Sequence, residues 1–328
     1  MGIRDPYSHS VIPICFATCS IEPKSATTTL PEKLKAIHSA GFDAVELAMS
    51  DLLAYGKALN GQEPDVSDYD AIVEVAKHVK PVAEEIGIAI LMLRPLARFE
   101  GWKVGYQDNE RQDAFARAGG WLRVMEALGT DMLQVGASDA EDISDSVDVM
   151  AADLAKLAEM CAEKGFRVEI VKKANQPNLS LTLDTFQIAG GEFGDPTTRS
   201  GLIEDISRPE LQARWTASLR ELSSTVPPEK IFVLQLSDAY KMNPPIEDLQ
   251  DGQEQRPRSK WSQNYRPLPL DGGYLPVHDV LRAVLDTGFR GWMAVEVHDS
   301  LEELEGSDME TFAKTAKELL EKLLLFSW

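Results

Sequence analysis

The sequence predicts an α/β protein, a (β/α)8 barrel, and three observations carry that prediction. Short apolar runs alternate with longer amphipathic ones along the chain, the pattern of βα units around a parallel sheet. Four amphipathic runs stop at a glycine just ahead of an apolar run, at Gly41, Gly87, Gly129 and Gly165. That is where a helix ends in the left-handed conformation. The length of 328 residues, 44% of them hydrophobic, suffices for one barrel with its core.

In chain order, residues 12–21 read as strand one. Thr29-Leu30-Pro31-Glu32 opens a helix, with proline at an early position where its missing N–H costs no bond. Gly41 stops it, and residues 42–47 form strand two. A helix over 69–86 leads into strand three at 88–93. A helix over 110–128 leads into strand four at 132–135, and a helix over 146–164 ends at Gly165. Strand five is the weakest, at Phe166-Arg167-Val168. Strands six, seven and eight are expected at 179–183, 231–236 and 292–297, with helices between them and a last helix over 308–325. Leu34 with Ile37, and Leu319, Leu320, Leu323 and Leu324, have helical spacing and read as core faces. No linker or composition break divides the chain, so one domain over 1–328 is expected.

Two places depart from this rhythm. Only thirteen residues separate Gly165 from Leu179, whereas a full βα unit takes about thirty. The fifth unit therefore reads as truncated, and Glu169-Ile170-Val171-Lys172-Lys173 looks like the end of a helix. The second place is 239–273, polar, rich in proline and long for a connection. After a barrel strand such a loop would lie over the mouth as a lid.

Lys and Arg total 33 against 53 Asp and Glu, a net charge of -20. So acidic a surface repels phosphate backbones and anionic lipid, so neither nucleic acid nor membrane is expected as a partner. Three cysteines, Cys15, Cys19 and Cys161, are too few for a disulfide framework. The N-terminus lacks the apolar core of a signal peptide, and no run is long enough to span a bilayer. The expected location is the cytoplasm.

In a barrel the chemistry sits where strands run out at their C-terminal ends. Asp184 ends strand six, Gln235 interrupts strand seven, and Glu296 interrupts the apolar run Met293-Ala294-Val295. Buried carboxylates need a partner, and such oxygens suit Mg²⁺ or Mn²⁺. The plainer alternatives are a helix cap for Asp184 and backbone bonding for Gln235. His298 shares its strand face with Glu296 by the period of two. It is a candidate ligand or general acid/base, or else an exposed residue beyond the strand. Glu46 in strand two is a second catalytic candidate, expected to point into the barrel mouth. Arg94 and Arg98 after strand three, and Lys241 after strand seven, are candidates to hold a substrate carboxylate, with surface ion pairs as the alternative. Gln187 and Asp238 are further candidates for substrate binding.

Leu183-Asp184-Thr185-Phe186-Gln187, Leu234-Gln235-Leu236-Ser237-Asp238 and Ala294-Val295-Glu296-Val297, with Phe99-Glu100-Gly101-Trp102, resemble the xylose-isomerase-like TIM barrel superfamily. Within it they resemble most the fungal 3-dehydroshikimate dehydratase group. The resemblance implies one divalent metal (Mn, Mg or Co, with Zn if imidazole joins) held by acidic residues of strands five, six and eight and a Gln or His of strand seven. By it, Asp184, Gln235 and Glu296 are metal ligands. The strand-five glutamate is missing, as though lost with the shortened unit. Glu169 would have to substitute from a position two residues away, roughly 7 Å along a strand. The function implied is a metal-dependent lyase acting on a small polyhydroxy carbonyl acid, with His298 or a metal-bound water as base. Isomerases and epimerases share the scaffold, and a barrel that binds without turnover is the reading the short fifth unit favours. A homo-oligomer, with 239–273 touching a partner subunit, is a further expectation.

Overall fold

The computed structural model describes residues 2–4, 11–21, 28–103, 105, 107–136, 143–144, 146–169, 176–247, 256–300 and 309–326. Eight strands make the parallel sheet: β1 (Ile14–Ala17), β2 (Ala44–Ala48), β3 (Ala89–Leu96), β4 (Met132–Val135), β5 (Arg167–Glu169), β6 (Leu179–Asp184), β7 (Ile231–Leu236) and β8 (Trp292–Val295). They follow one another in the sheet as they do in the chain, the topology of a closed (β/α)8 barrel. The helices are α1 (Leu30–Ser39), α2 (Met49–Asn60), α3 (Tyr69–Ile86), α4 (Asp108–Leu128), α5 (Val147–Ala162), α6 (Thr185–Glu192), α7 (Arg208–Thr225), α8 (Pro257–Asn264), α9 (Val277–Asp286) and α10 (Met309–Phe326).

Contacts divide the chain into two compact units. One comprises Met1–Ala26, Ala40–Phe42 and Leu183–Trp328, the other Thr27–Ser39 and Asp43–Thr182. In the first, β8 pairs with β1 and β7, Ala294 standing beside both Cys15 and Gln235. Its core includes Phe16, which meets Phe42 edge to face at 5.1 Å between ring centres. In the second, β2, β3, β4, β5 and β6 pair in turn. α3 starts at Asp68, whose side chain accepts from Ala71 N, and stops at Gly87 with φ 86°. That conformation costs glycine nothing and other residues a steric penalty.

The expected elements form with small shifts at their ends. Strand one is shorter than 12–21: after Ala17 the chain turns through a 3-10 helix, Thr18–Ser20. α2 was not foreseen. It follows β2 directly, Ala48 makes no side-chain cap, and Gly56 interrupts the pattern. The glycine is needed there, since a Cβ would stand 2.8 Å from Pro64 and 2.9 Å from Val75.

Glu169 is a correction. Residues 169–173 looked like a helix end, yet Glu169 closes β5, paired with Gln134 and Ser180. Its β-branched and aromatic neighbours Phe166 and Val168 favour the strand. Residues 170–175 lie outside the described residues, so the expected truncation of this unit is not decided by them.

The stretch 239–273 is partly regular. α8 is followed by Tyr265 and Arg266, which pair antiparallel with Asp299 and His298. Residues 248–255 lie outside the described residues.

Candidate functional site

The first unit gathers polar groups at the ends of β6, β7 and β8. Gln235 stands beside Ala294, and Glu296, two residues on, lies just past the end of β8 with its N–H still bonded to Leu236 O at 3.3 Å. Side chains alternate along a strand, so Gln235 and Glu296 share one face. Asp184 closes β6 and caps α6: its Oδ1 accepts from Phe186 N at 2.7 Å and Gln187 N at 3.1 Å. Thr185 Oγ1 bonds both backbone groups of Ser237, donating to O at 2.6 Å and accepting from N at 3.0 Å. The ends of β6 and β7 are thereby tied.

Arg266, which sequence reasoning missed, completes the cluster. Its Nη2 donates to Asp184 Oδ2 (2.9 Å), Ser237 Oγ (2.8 Å), Glu296 O (3.1 Å) and Glu296 Oε2 (3.0 Å). Its Nε reaches Ser237 Oγ at 3.1 Å, and its guanidinium lies 4.7 Å over the Phe186 ring. Arg266 is 2% exposed, Glu296 4% and Asp184 8%. Burial pushes the Asp184 carboxyl up from its ordinary range; Arg266 opposes this and Glu296 adds to it.

The placement of Arg266 follows from its backbone. Tyr240 N bonds Tyr265 O at 3.1 Å, Asp238 N bonds Pro267 O at 3.0 Å, and Ser300 N bonds Asn264 O at 2.9 Å. Asp238 Oδ1 also accepts from Ala239 N and Leu275 N, so this carboxylate fastens backbone at the end of β7. The signal in the sequence was faint: an arginine between Tyr265 and Pro267 ahead of the Asp271-Gly272-Gly273 turn.

The other predicted residues of this unit lie around the cluster. His298 Nε2 is 3.8 Å from Glu296 Oε1, with its side chain 29% exposed. Gln187 is exposed; its Nε2 lies 3.5 Å from Ser262 Oγ. Lys241 is exposed beyond β7. Gln235 is buried.

The second unit holds its own buried network. Arg94 Nε donates to Gln134 Oε1 at 2.6 Å and lies 3.7 Å from Glu46 Oε2. The β2–β3 register shifts between Val45 and Glu46, and such a bulge re-aims a side chain. Arg98 is exposed with φ 51°, and its carbonyl accepts from Arg117 at 2.6 Å. Of the Glu169 side chain nothing is described.

Among the described residues, no three His, Cys, Asp or Glu side chains form a metal-holding group. The donor set is instead two carboxylates, a serine hydroxyl and a backbone carbonyl around one point, with the Gln235 amide on a shared face. Oxygen donors of this kind fit a hard dication.

Residues 34–170 and 167–323 match the family described as xylose isomerase-like TIM barrel. A 3-dehydroshikimate dehydratase of Neurospora crassa is 27% identical over 311 residues, 86% of this chain and 84% of that protein. One of Pseudomonas aeruginosa is 30% identical over 297 residues; the match spans 85% of this chain and 37% of that protein. The solved structure of an IolI protein with a bound zinc atom has a TM-score of 0.62 at 16% identity, covering 97% of this chain and 99% of that one.

Proposed function

The chain belongs to the xylose isomerase-like TIM barrel family, and on that premise we propose that it is a divalent-metal-dependent lyase of the 3-dehydroshikimate dehydratase type. The observation that carries this reading is the convergence of Asp184 Oδ2 and Glu296 Oε2 on one point, each about a hydrogen-bond length from it. The names of the Neurospora and Pseudomonas relatives support the substrate, and the zinc-bearing neighbour supports metal use on this scaffold.

Asp184, Glu296 and Gln235 would hold the ion. When bound, a dication polarises a substrate carbonyl and stabilises the charge that develops as the α-proton leaves. His298 is the base for that proton. Its Nε2 lies 3.8 Å from Glu296 Oε1, which orients the ring. The proton then passes to the departing hydroxyl, so water is lost and a C=C bond forms. Tautomerisation completes an aromatic acid, with no redox partner required. The Lys241 ammonium, exposed past β7, supplies the positive charge that a substrate carboxylate needs on an acidic protein.

The test is turnover of 3-dehydroshikimate by the purified chain with Mn²⁺, Mg²⁺ or Co²⁺, followed by the ultraviolet absorbance of the aromatic product. Glu296→Gln is expected to abolish both metal retention and turnover. His298→Asn is expected to keep the metal and lose about 10²-fold in kcat, the range of a general base. Full activity of Glu296→Gln sinks the assignment. A protein that binds without turnover is the second reading, favoured by the short connection 170–178 between β5 and β6. Metal uptake with no product would select it.

A further inference from the structure

His298 stands on an outgrowth of the barrel. β8 ends at Val295, and the chain beyond it pairs again over His298–Asp299, antiparallel with Tyr265–Arg266. So short a two-stranded ladder is marginal by itself. A group that takes a proton must nevertheless be held to within about 0.5 Å.

Further bonds reach this stretch. Val297 N donates to Ser20 Oγ at 2.9 Å. Ser300 N and Oγ both donate to Asn264 O, at 2.9 Å and 2.8 Å. Between these two places, Tyr240 Oη donates to Asp299 Oδ2 at 2.8 Å. A hydroxyl on a carboxylate makes a charge-assisted bond, roughly twice as strong as one between neutral groups.

Tyr240 is itself held. Its N donates to Tyr265 O at 3.1 Å, and its O accepts from Trp261 Nε1 at 2.9 Å. Gly272 lets the ring lie close: its φ is 78°, and a Cβ there would stand 3.1 Å from the ring's Cε1. The hydroxyl therefore reaches Asp299 from a fixed place just past β7.

We propose that Tyr240 is a positioning residue, which through Asp299 locks the backbone that carries His298. The proposal rests on the reading that His298 takes the α-proton. Side chains alternate along a strand, so Asp299 and His298 leave the ribbon on opposite faces. The clamp grips the face away from the imidazole and acts through the backbone. On the imidazole's own face, Glu296 Oε1 lies 3.8 Å from Nε2.

The experiment is Tyr240→Phe in the full chain, which removes one hydroxyl and keeps the ring. With Mn²⁺ and 3-dehydroshikimate, kcat is expected to fall about tenfold at unchanged KM, within the cost of misplacing a reacting group by the order of 1 Å. In the His298→Asn background the same substitution should add nothing, because no base is left to hold. Asp299→Ala should reproduce the loss, and Asp299→Asn, which still offers the phenol an oxygen, should recover part of it. Carbon-13 labelling of the five histidines gives a readout that needs no turnover. Tyr240→Phe should shift or broaden the ring signal that is missing from His298→Asn and leave the others in place.

An unchanged kcat, a rise in KM alone, or an equal loss in the His298→Asn background overturns the clamp while leaving the dehydratase reading standing. A native chain that makes no product overturns the dehydratase reading. In that case a His298 signal unmoved by Tyr240→Phe overturns the clamp as well, and a moved one supports it.

Discussion

At the scale of single residues, the site depends on carboxylates that burial makes costly. Asp238 shows the consequence most cleanly, because among the described residues its hydrogen bonds come from backbone N–H groups. Burial pushes its carboxyl up to about 6, against backbone N–H groups of Ala239, Leu275 and Tyr274 that favour the anion. In the unfolded chain the same group titrates near 3.9, about the ordinary Asp value. Its folded pKa is raised, so its contribution to stability is fully present below about pH 4 and is lost as pH rises through about 6. Asp238→Asn lacks this dependence. The difference in melting temperature, variant minus native, is therefore expected to grow more positive between pH 4.5 and pH 7. A pH-independent difference would show that the carboxyl is not buried as described. Asp238, Asp184, Gln235 and Glu296 were all visible in the sequence, because each is a polar group in or just after an apolar run. Arg266 was not visible in this way. Its partners Asp184, Ser237 and Glu296 lie 82, 29 and 30 residues away in the chain, and no local pattern encodes such distances.

At the scale of elements, α8 and the short ribbon after it carry Arg266 to the site. Trp261 anchors them: its side chain is fully buried, and its Nε1 donates to Tyr240 O at 2.9 Å. Trp261→Ala should cost about 3–5 kcal/mol, the usual loss for deleting a buried tryptophan, measured by urea unfolding. A loss under about 1 kcal/mol would mean that this helix does not hold the site together. The strand and helix pattern was readable where capping and periodicity agree, as at α3 between Asp68 and Gly87. It failed at α2, which has no polar cap and carries an internal glycine, and α8 went unseen in a stretch read as a loop. Both helices are specified by what they pack against rather than by their own sequence.

At the scale of the whole molecule, the charge of -20 acts on stability as well as on partners. Like charges repel in the folded chain, and salt screens them: the Debye length falls from about 30 Å at 10 mM to about 8 Å at 150 mM. Raising sodium chloride over that range is expected to raise the melting temperature by about 2 °C or more in calorimetry; a fall would show that attractive ion pairs dominate. The barrel class, the order of its strands and the candidate ligands of strands six, seven and eight were set by the sequence alone, because hydrophobic periodicity is local and the polar breaks in it are conspicuous. Only the tertiary structure decided that Glu169 ends a strand, that Asp238 fastens backbone, and that a guanidinium from the chain after β7 sits between Asp184 and Glu296. Each of these depends on groups far apart in the chain being brought to hydrogen-bond distance and withdrawn from water, which local sequence patterns do not record.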